Sequence, residues 1–156
     1  MENGLREEIE RILPPGQVNY EEPMDRHCSF RTGGAADALA RVRSEEEMAR
    51  LLSLLRREKV PYFLLGRGTN LLVGDGGYRG VIVTAAEPAD GGSGSPVESP
   101  LNRIRVQGNR LTAGAGATMK AAAMEAMARG LSGLEFAAGI PGTLGGGLVM
   151  NAGAYG

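Results

Sequence analysis

Residues 61–80 read PYFLLGRGTNLLVGDGGYRG. Tyr62 to Leu65 is a short apolar run with an aromatic start, and it predicts a short buried strand. The run passes without a spacer into Gly66-Arg67-Gly68-Thr69-Asn70. Small residues at the end of a strand occupy the position where α/β sheets hold ligands. Upstream, Ala36 to Val42 alternates well enough for a strand. Ser44 then caps a helix whose first turn holds Glu45, Glu46 and Glu47. Ser44 and Glu47 have the spacing of a capping box. Met48, Leu51, Leu52 and Leu55 form its buried stripe, and Arg56, Arg57 and Lys59 suit its C-terminal dipole. Strand, helix and strand imply parallel pairing. A third strand, GVIVT, starts at Gly80.

The chain on either side is simpler. Leu5, Ile9, Ile12 and Leu13 share one helical face, and Pro14-Pro15-Gly16 stop that helix. Residues 18–37 read as extended chain and turns. Residues 85–100, AAEPADGGSGSPVESP, read as a flexible insertion without function. NRIRVQGNRLTAGAG predicts a hairpin turning at Gly108-Asn109. Thr118 caps a helix from Met119 to Arg129, with Ala122, Ala123, Met124 and Met127 facing inward and Gly130 as its stop.

The totals exclude several functions. The 156 residues are one domain's worth of chain, or part of a larger protein. A net charge of −1 gives no support for nucleic-acid binding, and four Tyr, three Phe and no Trp give none for base-stacking platforms. The single cysteine, Cys28, permits no internal disulfide and no thiolate-rich zinc site, so a reducing, cytoplasmic setting is expected. The acidic N-terminus lacks the apolar stretch of a signal peptide, and no run is long enough to span a membrane. One histidine excludes a HExxH site, and no P-loop signature occurs. His27 and Cys28 are neighbours on extended chain and point to opposite faces, so they are not read as a dyad. His27 is expected in solvent and Cys28 as a buried small hydrophobe. Asp75 and Glu135 are isolated acids, structural or solvated.

Glycine is the compositional anomaly: 25 residues, about twice the usual share. Two readings of the Gly66–Asn70 loop stay open. Its successive N–H groups, with Thr69 and Asn70, can form a nest for an anion such as pyrophosphate. Equally, a tight turn can need glycine for geometry alone. The loop fails the Rossmann fingerprint, because Leu71 stands where the third glycine belongs. GAGATM, residues 114–119, is a weaker candidate of the same kind, with no acidic residue at the required distance. The end of the chain, GIPGTLGGGLVMNAGAYG over 139–156, is the second strong candidate. Pro141 can occupy the first position of a helical turn. Thr143 with Gly145, Gly146 and Gly147 would leave that turn bare enough for a flat ring, with Asn151 offering an amide. Close packing of small residues is the alternative.

YFLLGRGTNLLVGDGGYRGVIV and GLSGLEFAAGIPGTLGGGLVMNAGAYG resemble the UDP-N-acetylenolpyruvoylglucosamine reductases, the MurB family of peptidoglycan synthesis. FRTGGAADALARV resembles that family's entry segment, and the likeness spans most of residues 20–156. The resemblance implies an α+β fold, the FAD-binding domain of the vanillyl-alcohol oxidase/PCMH type, with two small α/β subdomains gripping an extended FAD. An N-terminal helix and lead-in over 1–19 would precede the first subdomain, 20–84. After the insertion, 101–156 would be an incomplete second subdomain. By resemblance, Gly66, Arg67, Gly68, Thr69, Asn70 and Leu71 form the pyrophosphate loop. Gly139, Ile140, Pro141, Gly142, Thr143, Gly145 and Gly146 line the adenosine-diphosphate and flavin side, with Asn151, Gly153 and Ala154 close by. His27 lies outside these loops, so non-covalent FAD is expected.

The implied reaction takes hydride from NADPH through FAD to the enolpyruvyl double bond of UDP-N-acetylglucosamine enolpyruvate, giving UDP-N-acetylmuramate. The family continues past the NAGAYG motif into a substrate domain, and the resemblance places its catalytic arginine, serine and glutamate there. No catalytic residue is therefore assigned among these 156, and the chain by itself is expected not to be a competent reductase. A non-catalytic nucleotide-binding or interaction module of the same fold is the alternative, and another oxidase of that fold a third. Oligomeric state is not legible in the sequence.

Overall fold

The computed structural model describes residues 1–85 and 99–154. Most of the 85–100 insertion therefore lies outside the described residues. Its last part does not behave as an insertion: Ser99 is buried, and its hydroxyl donates to the Arg43 carbonyl at 2.6 Å.

Helix α1, Asn3–Ile12, is followed by strand β1, Val18–Pro23, a 3-10 turn over Met24–His27, and strand β2, Ala35–Arg41. Helix α2, Glu45–Arg57, leads to β3, Tyr62–Leu65, and β4, Tyr78–Thr84. These four strands form one sheet in the order β1-β2-β4-β3. β1 is antiparallel to β2, while β2 and β3 each lie parallel to β4. The expected parallel strands are present, but β2 and β3 are not neighbours, because β4 inserts between them. The extended stretch after Gln17 supplies β1, which alternation alone did not distinguish from loop.

β4 is central because its side chains suit burial on both faces. Val81 and Val83 join Ile9, Leu51 and Leu55 beneath the two helices. Ile82, from the same strand, points the other way to Met24, Ala36 and Leu39, with Leu65, Leu71 and Val73 packed around them. Each fully buried aliphatic side chain is worth roughly 1.5–3 kcal/mol. The first face is covered by helices and the second by connecting segments, so the chain around residues 24–34 and 66–77 sits on the sheet as a layer. β3 is an edge strand, not a buried one: Phe63 and Leu64 are exposed.

α2 begins as its sequence requires. The Ser44 hydroxyl accepts the Glu47 N–H at 3.1 Å. The reciprocal half of the capping box is redirected, since the Glu47 carboxylate accepts from the Arg43 N–H at 2.7 Å and from Gln17 Nε2 at 2.9 Å. Leu51, Leu54 and Leu55 are its buried residues, with Met48 and Leu52 only partly covered.

The second part of the chain builds a hairpin, β5 (Ile104–Gln107) with β6 (Arg110–Ala113), turning at Gly108-Asn109. Helix α3, Met119–Ala128, is capped by Thr118 and ends at Gly130 with φ +69°. Its inward face differs from the expected one. Met119, Ala122, Ala123 and Ala126 are buried, whereas Met124 and Met127 are exposed. The helix is apolar nearly all round, so periodicity does not choose its buried side. A short helix, α4 (Leu144–Val149), follows a 3-10 turn at Glu135–Gly139. Its cap is Thr143, whose hydroxyl accepts the Gly146 N–H, so Pro141 precedes the helix and is not its first residue.

Candidate functional site: a seam between two glycine-rich loops

The two loops singled out by their glycines meet. The Thr69 hydroxyl donates to the carbonyl of Pro141 at 3.1 Å. A Cβ added at Gly66 would lie 2.7 Å from Thr143 Oγ1, and one at Gly142 would lie 3.3 Å from Thr69 Oγ1. Glycine at 66 and 142 thus lets the seam close backbone to hydroxyl, with no side chain between. Asn70 is exposed beside it, and Arg67 and Gly142 are partly exposed. Thr143 itself is buried.

Not every predicted residue presents its side chain to this seam. Leu71 packs into the second core cluster, and Ile140 packs with Met119, Ala123 and Ala137. Gly145 is small because Ala115 lies against it: an added Cβ would come within 2.9 Å of the Ala115 side chain. Gly139 closes the 3-10 turn. Asn151, Gly153 and Ala154 follow α4, with Asn151 exposed at φ +47°.

The GAGATM segment has a different use. Gly116 N–H donates to the Leu101 carbonyl, the Ala115 carbonyl accepts from Gly145 N–H, and the Ala117 carbonyl accepts from Leu144 N–H. A side chain at Gly114 would overlap the Leu101 backbone. Its glycines are explained by close packing against Leu101, Asn102 and Ala85, while the Ala115 and Ala117 carbonyls hold α4's first turn, so the segment anchors the Gly142–Gly146 side of the seam.

The other loop is held from behind by residues 24–34, which sequence reading left outside the site. Ser29 N–H donates to the Gly68 carbonyl at 3.0 Å, and Gly34 N–H to the Gly74 carbonyl at 3.0 Å. Gly68 has φ +66°, and any side chain there would overlap the His27 carbonyl. His27 is not solvated as expected. Its Nε2 lies 2.7 Å from Glu22 Oε1, and the two side chains are only 16% and 14% exposed. Cys28 is buried, with its thiol donating to the Thr32 carbonyl. His27 and Cys28 therefore have separate partners and form no dyad. Glu135 accepts from Gly133 N–H at 2.7 Å, a structural role.

The donors along the seam suit an extended anionic ligand. Loop backbone N–H groups, amides and guanidinium groups are the kinds of donor that suit a pyrophosphate, and the loop carries Arg67 and Asn70. Apolar surface at Phe63, Leu64 and Leu148 is exposed in the flanking elements. The residues present fit FAD, which joins a pyrophosphate to two flat rings. A groove of about 540 Å³ elsewhere, between α1 and α2, is lined by Glu8, Arg11, Arg50 and Arg57 and is bridged by the Arg57–Glu8 ion pair. It contains none of these glycines. Among the described residues, no cluster of His, Cys, Asp and Glu could hold a metal, and no helix is long and apolar enough to cross a membrane.

Comparison with known proteins gives the family of the chain. Residues 36–156 match the family described as FAD binding domain. The UDP-N-acetylenolpyruvoylglucosamine reductase of Caldanaerobacter subterraneus subsp. tengcongensis is 46% identical over 152 residues, covering 97% of this chain and 46% of the relative. That of Clostridioides difficile is 42% identical over 145 residues, covering 93% of this chain and 44% of the relative. The crystal structure of the UDP-N-acetylenolpyruvylglucosamine reductase (MurB) from Thermus caldophilus superposes with a TM-score of 0.59 at 30% identity, over 88% of this chain and 42% of that one. The chain spans slightly less than half the length of these relatives. It belongs to the FAD-binding domain family, and within it to the N-terminal portion of the UDP-N-acetylenolpyruvoylglucosamine reductases.

Proposed function

We propose that this chain holds FAD, without a covalent bond, as the flavin-binding portion of a cytoplasmic reductase that forms UDP-N-acetylmuramate for peptidoglycan. The substrate of that reaction is UDP-N-acetylglucosamine enolpyruvate and the hydride donor is NADPH. The observation that carries the reading is the seam, where Thr69 meets Pro141 at 3.1 Å and Gly66 lies against Thr143. When bound, FAD supplies the hydride relay between nicotinamide and enolpyruvyl group.

This chain's residues bind and orient. Gly66 to Leu71 offer backbone N–H groups to the pyrophosphate, with Arg67 and Asn70 adding a cation and an amide. Gly139, Ile140, Pro141, Gly142, Thr143, Gly145 and Gly146 form the opposite wall, where the glycines leave bare backbone for a ring to approach. Asn151, Gly153 and Ala154 extend that wall. His27 is engaged by Glu22, which supports retention of the flavin without attachment to a histidine. The division into subdomains at 20–84 and 101–156 follows the same logic, one loop coming from each. The proton donor and the groups that stabilise the enolate belong to sequence beyond the matched portion of the relatives.

Titration of the purified chain with FAD, followed by quenching of flavin fluorescence, tests the reading. Saturable one-to-one binding is expected. Arg67→Ala and Asn70→Ala should each weaken it by about tenfold, the scale of one charge-assisted hydrogen bond. Absence of binding by the unmodified chain, or unchanged affinity in both variants, overturns it.

A further inference from the structure

We propose that Glu22 and His27 are positioning residues for the Gly66–Asn70 loop, acting through the backbone of His27 to Ser29. The inference rests on the FAD reading only for its consequence, not for the mechanical link.

The link is a short chain of contacts. Glu22 is near the end of β1, where it pairs with Ala36 of β2. Its carboxylate also accepts from Asn19 Nδ2 at 3.2 Å, which fixes its direction. Five residues later, after Met24 has been driven into the core, His27 folds back onto the same carboxylate at 2.7 Å. The pair is mostly shielded from water, so losing either partner strands a polar group. That contact fixes where the His27 main chain runs. The His27 carbonyl abuts Gly68 so closely that only glycine fits, and the next-but-one residue, Ser29, bonds the Gly68 carbonyl.

The geometry of the loop is therefore imposed from outside. Gly68 at φ +66° has no side chain to hold itself. A glycine loop is entropically costly to order, and an anion site made of its N–H groups gains affinity when that ordering precedes binding. The Glu22–His27 pair does the ordering through the His27 carbonyl and the Ser29 amide, separately from the Thr69–Pro141 contact.

The experiment is backbone amide exchange of the FAD-free chain, paired with FAD titration, for His27→Ala, Glu22→Ala and the conservative His27→Gln. Exchange of the Ser29 amide should accelerate by about tenfold in both alanine variants, while the slow amides of Ile82 and Val83 keep their rates. FAD affinity should fall by about five- to tenfold in the same two variants, and His27→Gln should recover most of both effects. Equal acceleration at Ser29 and in β4 would mean loss of general stability and would overturn the proposal. So would an unchanged Ser29 rate, or faster Ser29 exchange with undiminished FAD affinity. If the unmodified chain binds no FAD, the preceding reading fails by itself, and the Ser29 rates still decide whether the pair holds the loop. If His27→Ala does not fold, Glu22→Ala and His27→Gln give the same comparison.

Discussion

The Thr69 hydroxyl reaches the carbonyl of Pro141 at 3.1 Å across 72 positions of sequence. It joins the loop that leaves β3 to the segment that enters α4, and it is a side-chain contact between the two walls of the seam. Thr69→Val keeps the shape and removes the donor. A neutral hydrogen bond contributes about 1 kcal/mol, so FAD affinity should fall about fivefold. Thr69→Ser should stay close to the unmodified chain. Fluorescence titration of the three proteins checks this, and equal affinity for valine and threonine would show that the contact does not matter for binding.

Gly68→Ala tests how tightly residues 24–34 press on the loop. The substitution meets two obstacles: a positive φ and overlap with the His27 carbonyl. Such strain costs roughly 1–3 kcal/mol. The urea midpoint should drop and FAD binding should be largely lost. Gly74→Ala, where no heavy atom lies within 4 Å of the added carbon, should change neither by much.

The start of α2 predicts an order of severity. Ser44→Ala removes one N-cap acceptor and should cost about 1 kcal/mol. Glu47→Ala removes the acceptor of both Arg43 N–H and the amide of the buried Gln17. It should cost more, about 1–3 kcal/mol, because Gln17 keeps only its bond to the Arg41 carbonyl. Urea denaturation ranks the two, and a milder effect at Glu47 would mean that Gln17 is satisfied by water.

Tyr20 sets an alkaline limit. Burial, with the Glu10 carboxylate adding to it, pushes its hydroxyl up to about 12 from the ordinary 10.0. The unfolded chain gives up this proton first as pH rises. The contribution is intact below pH 10.0 and is lost progressively toward about 12. Tyr20→Phe should flatten the fall in thermal midpoint over that interval. An identical fall in both proteins would place the alkaline sensitivity elsewhere.

The relation of sequence to structure is clearest at β3. Tyr62 to Leu65 is a strand, as its composition requires, yet Phe63 and Leu64 are exposed. Whether an apolar strand is central or marginal depends on which neighbour inserts beside it, and β4 has more side chains suited to burial on both faces. The same holds for α3. Its ends were legible from Thr118 and Gly130, but its buried side was not, because alanine and methionine surround the axis. His27 is the sharpest case. A histidine between charged and polar residues reads as solvated until a carboxylate five positions back is brought to 2.7 Å.

The sequence by itself determined the local events and the family: caps, hairpin turn, strand segments and the two glycine motifs. These depend on the conformational preferences of a few adjacent residues, which a short window contains. Tertiary structure alone decided that β4 separates β2 from β3, that GAGATM serves backbone packing, and that residues 24–34 press on Gly68. It also joined the two motifs, through Thr69 and Pro141. Such contacts are set by the packing of distant segments around a shared core, and no local window encodes which distant segment will arrive.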